Sequence, residues 1–357
     1  MERKRRIEIS VLNVLFSLIV IFIHVNSYSV SAFEVNTPKY TVFMLMWRLA
    51  SFVVPGFVLL SGVKLFLNGK DKLPMGTYIK GRLKGVILPY VICFGVFYVF
   101  YMVVYDYPLD PWFMLKHLVF GGLVCHMYFI PLLFQFDLLF PLWKKVINKC
   151  SPLIVIPFAI LISQLLKGYF PGMLKTIFPQ WEFLYNDRLF TTYLSYWLVG
   201  CYVGKNYDAF CEIMKRNFRV ICTFFGIALV GVIYFSYLAF NQIEYIPYIN
   251  EVHNLYVLAV CIFLYALVLK IPDSVILRIP FLLKLDGASF YIYLYHMLAV
   301  LLGEWLVQRL GIVAQGPAFL LRAVVAYGLT LPCCVIYKSL KKKVMSNIVR
   351  RKKCSGL

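Results

Sequence analysis

Apart from Ser10, Asn13 and Ser17, the stretch from Ile9 to Ile23 is unbroken apolar sequence, and His24 closes it before the block runs out at Ala32. A membrane-crossing helix needs roughly 20 consecutive apolar residues. An ionisable group inside one is costly to bury, so it marks a functional site by default. His24 is therefore a candidate functional group. The competing reading is an interfacial histidine that hydrogen-bonds a neighbouring helix.

Nine further apolar blocks follow, at 42–67, 86–105, 126–142, 152–166, 189–204, 219–240, 252–270, 288–307 and 317–337. With 62% apolar and only 15% charged residues arranged in such blocks, the chain is a polytopic helical membrane protein. A barrel is excluded, since its strands alternate over about ten residues. The net charge of +20 does not point to nucleic acid, because the basic residues sit between apolar blocks and at the two ends, as in cytoplasmic loops.

Counting from a cytoplasmic N-terminus, Arg3 to Arg6 lie inside, followed by Lys70, Lys72, Lys80, Arg82 and Lys84, then Lys144, Lys145 and Lys149. Lys205, Lys215, Arg216 and Arg219, then Lys270, Arg278 and Lys284, and the tail from Lys338 to Lys353 complete the inner set. The alternate connectors are leaner in base and richer in acid (Glu34, Asp106, Asp110, Glu244, Glu251), and the connector Lys167 to Arg188 is mixed. This alternation predicts an all-α fold of about ten transmembrane helices with both termini cytoplasmic. One membrane domain is expected over 1–340, with a basic cytoplasmic tail at 341–357. The basic start, apolar core and Val30-Ser31-Ala32 imitate a secretory signal, but the core is long for one, and a retained first helix is expected. The ten cysteines form no CxxC pair and read as reduced.

Topology places several polar groups by depth. His24 lies about 22 Å along the first helix, in the outer half of the bilayer. Arg48, His126 and Glu304 fall near the outer ends of their blocks, and His296 nearer the middle of its own. A histidine takes a proton from a hydroxyl and returns it near neutral pH. An arginine or second histidine can stabilise an acyl-transfer oxyanion. Against this stand plain structural readings: Arg48 snorkelling to headgroups, His126 capping a helix start, Glu304 solvated at a helix end, and Gln135 with Asp137 as an interhelical hydrogen-bond pair. His117 and His253 are expected to be solvated in or beside outer loops. The histidines are too scattered for a metal site, and no GxSxG elbow, Walker loop or Rossmann loop is present.

Several segments, in order along the chain, together resemble the acyltransferase-3 family of integral membrane acyltransferases. Ile19 to His24 is similar to the family's apolar run closing on histidine. Pro55-Gly56-Phe57, ending in Ser61-Gly62, resembles its Pro-x-Phe-x-x-x-Ser-Gly element, which Arg48 precedes. Tyr78 to Lys84 with Pro89-Tyr90 looks like the basic entry to the third helix, and His126 to Pro131 with Pro141 like the fourth. Tyr196 to Gly204 is similar to the Leu-Gly-x-x-x-Gly stretch, and Ser289 to His296 to the Ser-x-x-Ile-Tyr-x-x-His ending. Two positions depart from the pattern. Asn13 stands where members often carry a basic residue eleven positions before the histidine, and Asp137 stands where an aromatic is expected.

The resemblance implies transfer of an acyl group, usually acetyl, from cytoplasmic acyl-CoA to a hydroxyl of a surface-exposed or lipid-linked carbohydrate. His24 would be the general base. Arg48, His126, Glu304 and His296 would contact the acceptor or the oxyanion, and Lys80, Arg82 and Lys84 the CoA phosphates. No permanently bound cofactor and no metal are expected. The expected partners are acyl-CoA, the carbohydrate and membrane lipid; since some members carry a fused extracellular domain that passes the acyl group on, the chain would act alone or with a separate extracellular protein. The competing functions are a transporter or flippase of a lipid-linked saccharide, which would use the same polar groups to hold cargo, and a non-catalytic membrane scaffold.

Overall fold

The computed structural model describes residues 6–180 and 183–354, and among these there are helices and no strands. In chain order the α-helices are α1 (Ile7–Ala32), α2 (Pro38–Ala50), α3 (Val53–Leu67), α4 (Met75–Arg82), α5 (Leu88–Tyr105), α6 (Pro111–Phe120), α7 (Phe129–Leu138) and α8 (Phe140–Lys149). They continue with α9 (Pro152–Ile177), α10 (Leu194–Lys205), α11 (Tyr207–Arg216), α12 (Phe218–Phe240), α13 (Ile249–Val268), α14 (Asp273–Leu277), α15 (Pro280–Arg309) and α16 (Gln315–Cys354).

Local chemistry sets many of the boundaries. Thr37 accepts from the backbone N–H of Tyr40 ahead of Pro38, Asp110 from Trp112 and Phe113 ahead of Pro111, and Ser151 from Leu153 ahead of Pro152. Each pair places a capping oxygen beside orphan N–H groups and a proline where no N–H is needed.

Eight apolar runs among the described residues are long enough to cross a bilayer: Ile7–Ala32, Pro38–Leu67, Met75–Tyr105, Pro152–Ile177, Phe218–Phe240, Ile249–Val268, Pro280–Arg309 and Gln315–Val344. The expected blocks at 126–142 and 189–204 fold differently. The first is split at Leu139 into α7 and α8, with Pro141 in the first turn of α8. The second is the 12-residue α10, led in by the 3-10 turn Phe190–Tyr193. The fifth block is longer than expected, because α9 continues as helix to Ile177 through Pro171.

The chain forms two compact units. One contains α1, α2 and α12–α16. Here α15 packs on α16 and on α1, and α12 on α13. Two contacts fix the direction of α1 and α15. Ser10 and Asn13 bond Asp286, and the His24 ring lies beside His296. Moving up one helix moves up the other, so the two run parallel. The Glu304–Arg322 pair and the Tyr291–Tyr337 contact make α15 and α16 antiparallel.

The other unit holds α4–α11 and α3 from Val54 onward. Its tightest seam joins α3 to α10. A Cβ added at Gly200 would lie 2.1 Å from the Leu59 carbonyl oxygen, and one at Gly204 2.3 Å from that of Val63. Only glycine admits such backbone approach. Because Leu59 meets Gly200 and Val63 meets Gly204, these helices are also parallel. At the far end Lys205 donates to Ile147 O (2.8 Å) and Tyr202 to Cys150 O (3.0 Å), so α8 and α10 finish side by side.

Candidate active site

His24 and His296 stand at matching heights on the parallel pair α1 and α15, about 25 Å from the start of each helix. Their ring centroids are 5.1 Å apart. His296 is fully buried and His24 partly so. His296 Nδ1 lies 2.8 Å from Tyr293 O and 3.2 Å from Ile292 O. A carbonyl only accepts, so Nδ1 carries the proton and Nε2 keeps the lone pair of the neutral ring. The local helix thus sets the tautomer of His296.

Arg322, which the sequence reading did not single out, stands in the same unit. It is buried, its Nε is 2.5 Å from Glu304 Oε2, and its guanidinium lies 5.2 Å from the centre of the Tyr28 ring, one turn beyond His24. Glu304, expected at a solvated helix end or on the acceptor, is committed to this ion pair. A signal was available, because Arg322 follows Glu304 by 18 residues across a short connector, the spacing at which antiparallel helices meet.

Lower on α1, Asn13 Nδ2 donates to Asp286 Oδ1 (2.9 Å) and Ser10 Oγ to Asp286 Oδ2 (2.8 Å). The departure at Asn13 is thus absorbed by a hydrogen bond that ties α1 to α15. The expected ninth block starts at 288, so Asp286 falls outside it.

Arg48 is buried rather than snorkelling. One Nη donates to Ile249 O (3.1 Å), and the guanidinium lies 5.5 Å from the centre of the Phe240 ring. The expectation that His253 is solvated is corrected. It belongs to the second turn of α13, and its Nε2 is 3.1 Å from Ser51 Oγ. That hydroxyl donates to Arg48 O (2.7 Å), so the histidine nitrogen supplies the hydrogen in its own bond to the serine. This α2–α13 cluster is a second polar group of the first unit.

His126, Lys80, Arg82 and Lys84 belong to the other unit. His126 is buried, with its ring 5.7 Å from Phe97. Arg82 Nε lies 2.6 Å from Asp137 Oδ2, and the other oxygen of that buried carboxylate accepts from the Tyr78 hydroxyl. This explains the aspartate at position 137, and it removes much of Arg82 from any role with phosphate. Lys80 and Lys84 are exposed. Gln135 and Asp137, expected to hydrogen-bond between helices, do so with different partners, Asp137 with α4 and Gln135 with the 3-10 turns before α10. Gln135 donates to Arg188 O and accepts from Phe190 N. His117 packs on Phe113 at 4.0 Å, and burial pushes its pKa below the ordinary histidine value. Among the described residues no group of three or more His, Cys, Asp or Glu is gathered for a metal.

A family model described as an acyltransferase domain matches residues 6–338. Neither the curated proteins nor the solved structures gave a match.

Proposed function

The chain belongs to the acyltransferase-3 family of membrane acyltransferases, and we propose that it moves an acyl group, acetyl in the first instance, from cytoplasmic acyl-CoA to a hydroxyl of a cell-surface or lipid-linked carbohydrate. The observation that carries this reading is the His24–His296 pair, two imidazoles side by side at membrane depth. Residues of this kind are costly there and are kept for proton chemistry or binding.

In the proposed step His24 takes the proton of the acceptor hydroxyl as its oxygen attacks the thioester carbonyl. The tetrahedral intermediate collapses with cleavage of the C–S bond. The proton passes from His24 to the departing CoA thiolate, and an ester is left on the sugar. His296 orients His24, its own tautomer held by Tyr293 O. Arg48, 8% exposed and without a carboxylate partner among the described residues, is the cation suited to the acceptor or to the developing oxyanion. Within the second unit, Lys80 and Lys84 are exposed cations suited to phosphate, with Arg82 braced on Asp137.

We further propose ten crossings in the cell membrane, with cytoplasmic termini. The parallel α3 and α10 favour this count, as does the shared position of the α8 and α10 ends, with Lys144, Lys145 and Lys149 on one and Lys205 on the other. Together α7 and α8 run from Phe129 to Lys149, about 30 Å of broken helix.

The test uses purified protein in nanodiscs with radiolabelled acetyl-CoA and extracted surface glycan, wild type against His24→Ala. Label on the glycan that depends on His24 is the expected result. Full transfer by folded His24→Ala protein overturns the assignment of the base. No transfer by wild type with any acyl-CoA overturns the donor.

A further inference from the structure

An apolar groove of about 450 Å³ runs along the outside of the α15–α16 pair, lined by Tyr291, Tyr295, Leu302, Leu329, Cys333 and Tyr337 among others. Its walls are open to the surroundings, with Leu329 43% and Tyr337 48% exposed. From Tyr291 to Leu302 it covers about 16 Å of helix rise, roughly half of a hydrocarbon core about 30 Å thick. That is the depth of one leaflet.

The two ends differ chemically. At the Tyr291 end Lys341 Nζ donates to the Tyr291 hydroxyl (2.7 Å), and Lys338 Nζ lies 5.6 Å from the centre of the same ring. Both lysines are exposed, and no carboxylate pairs with either among the described residues. The other end offers the aliphatic Leu302 and Leu329.

We propose that this groove is a binding site for an anionic glycerophospholipid, one acyl chain lying between α15 and α16 and the phosphate resting on Lys338 and Lys341. Paired cations at the headgroup level attract anionic lipid, and an apolar slot one leaflet deep accepts a single chain. The acyl-CoA donor shares the phosphate chemistry but fits less well. At about 100° per residue, His296 lies roughly 115° around α15 from the middle of the groove-lining stripe. An acyl thioester held in the groove would therefore face away from the histidine pair. The site is independent of the transfer reaction.

The test exposes wild-type protein in nanodiscs to phosphatidylglycerol bearing a photoreactive group on one acyl chain, followed by peptide mapping. Cross-links are expected on 291–302 and 329–337, and unlabelled phosphatidylglycerol is expected to compete at least tenfold better than phosphatidylcholine. Lys338→Gln/Lys341→Gln is expected to erase that preference while cross-linking in the groove persists. Cross-links elsewhere, equal competition by the two lipids, or competition by coenzyme A matching that of phosphatidylglycerol would each overturn the proposal.

Discussion

The parallel pairs α1–α15 and α3–α10 are held together by opposite means. The first meets through side chains, with Ser10 and Asn13 on Asp286 at one level and His24 beside His296 about 15 Å further along. The second meets through backbone, with Gly200 and Gly204 against the carbonyls of Leu59 and Val63. In a membrane, lipid is as apolar as leucine, so helices gain little from apolar contact alone and associate through close packing and hydrogen bonds. Glycine gives closeness without chemistry. Polar groups give adhesion at a desolvation cost, and they alone can carry chemistry. Under the proposed function, the α3–α10 seam serves assembly and the α1–α15 seam catalysis.

The largest effect should come from breaking the glycine seam. Gly200→Leu places a side chain where a Cβ alone lies 2.1 Å from Leu59 O, and backbone cannot yield as a flexible side chain does. Monodisperse protein recovered by size-exclusion chromatography is expected to fall to background. Normal yield would show that the seam is dispensable.

His24→Ala should leave that yield intact while lowering transfer by about 10²–10⁴-fold, the usual contribution of a positioned base. His296→Ala should follow it in rate. His296→Gln, which retains a hydrogen-bonding group, should recover part of the loss if the residue positions His24. Equal collapse of yield in both alanine variants would erase the distinction between the two seams.

Arg82→Gln leaves Asp137 buried beside Tyr78 without its cation, a change that typically costs about 3–5 kcal/mol. The double variant with Asp137→Asn should regain most of the thermal stability and keep an unchanged KM for the donor. A raised donor KM in the stable double variant would return Arg82 to the CoA phosphates.

The smallest effect belongs to Asn13→Ala, which removes the Asn13 hydrogen bond to Asp286 and should cost about 1 kcal/mol in thermal denaturation. Asn13→Lys, the charge type more usual in the family at this position, should pair with Asp286 and keep activity. Loss of transfer in folded Asn13→Lys protein would show that the neutral residue is required.

Much of the architecture is legible residue by residue. Thr37-Pro38, Asp110-Pro111 and Ser151-Pro152 announce helix starts because the cap and the missing N–H are local properties of two neighbouring residues. Gly200 and Gly204 announce a seam because only a backbone contact needs that spacing. His24 stands out because an ionisable group in an apolar run carries its cost in the sequence itself. The break at Leu139 was less visible, since block 126–142 is apolar throughout its centre and only Pro141 marks the restart.

What the sequence could not determine is the identity of partners. His24 and His296, Asn13 and Asp286, and Arg82 and Asp137 are each separated by long stretches of chain, from 55 residues for Arg82 and Asp137 to 273 for Asn13 and Asp286. Apolar blocks and basic connectors let helices and their directions be expected one segment at a time, because bilayer thickness and lipid charge act on each segment separately, yet the blocks at 126–142 and 189–204 are not among the eight runs long enough to cross. Which helix lies beside which is decided by packing among them. That choice alone turned Arg48 inward, drew His253 onto Ser51, and brought two histidines from α1 and α15 to one level.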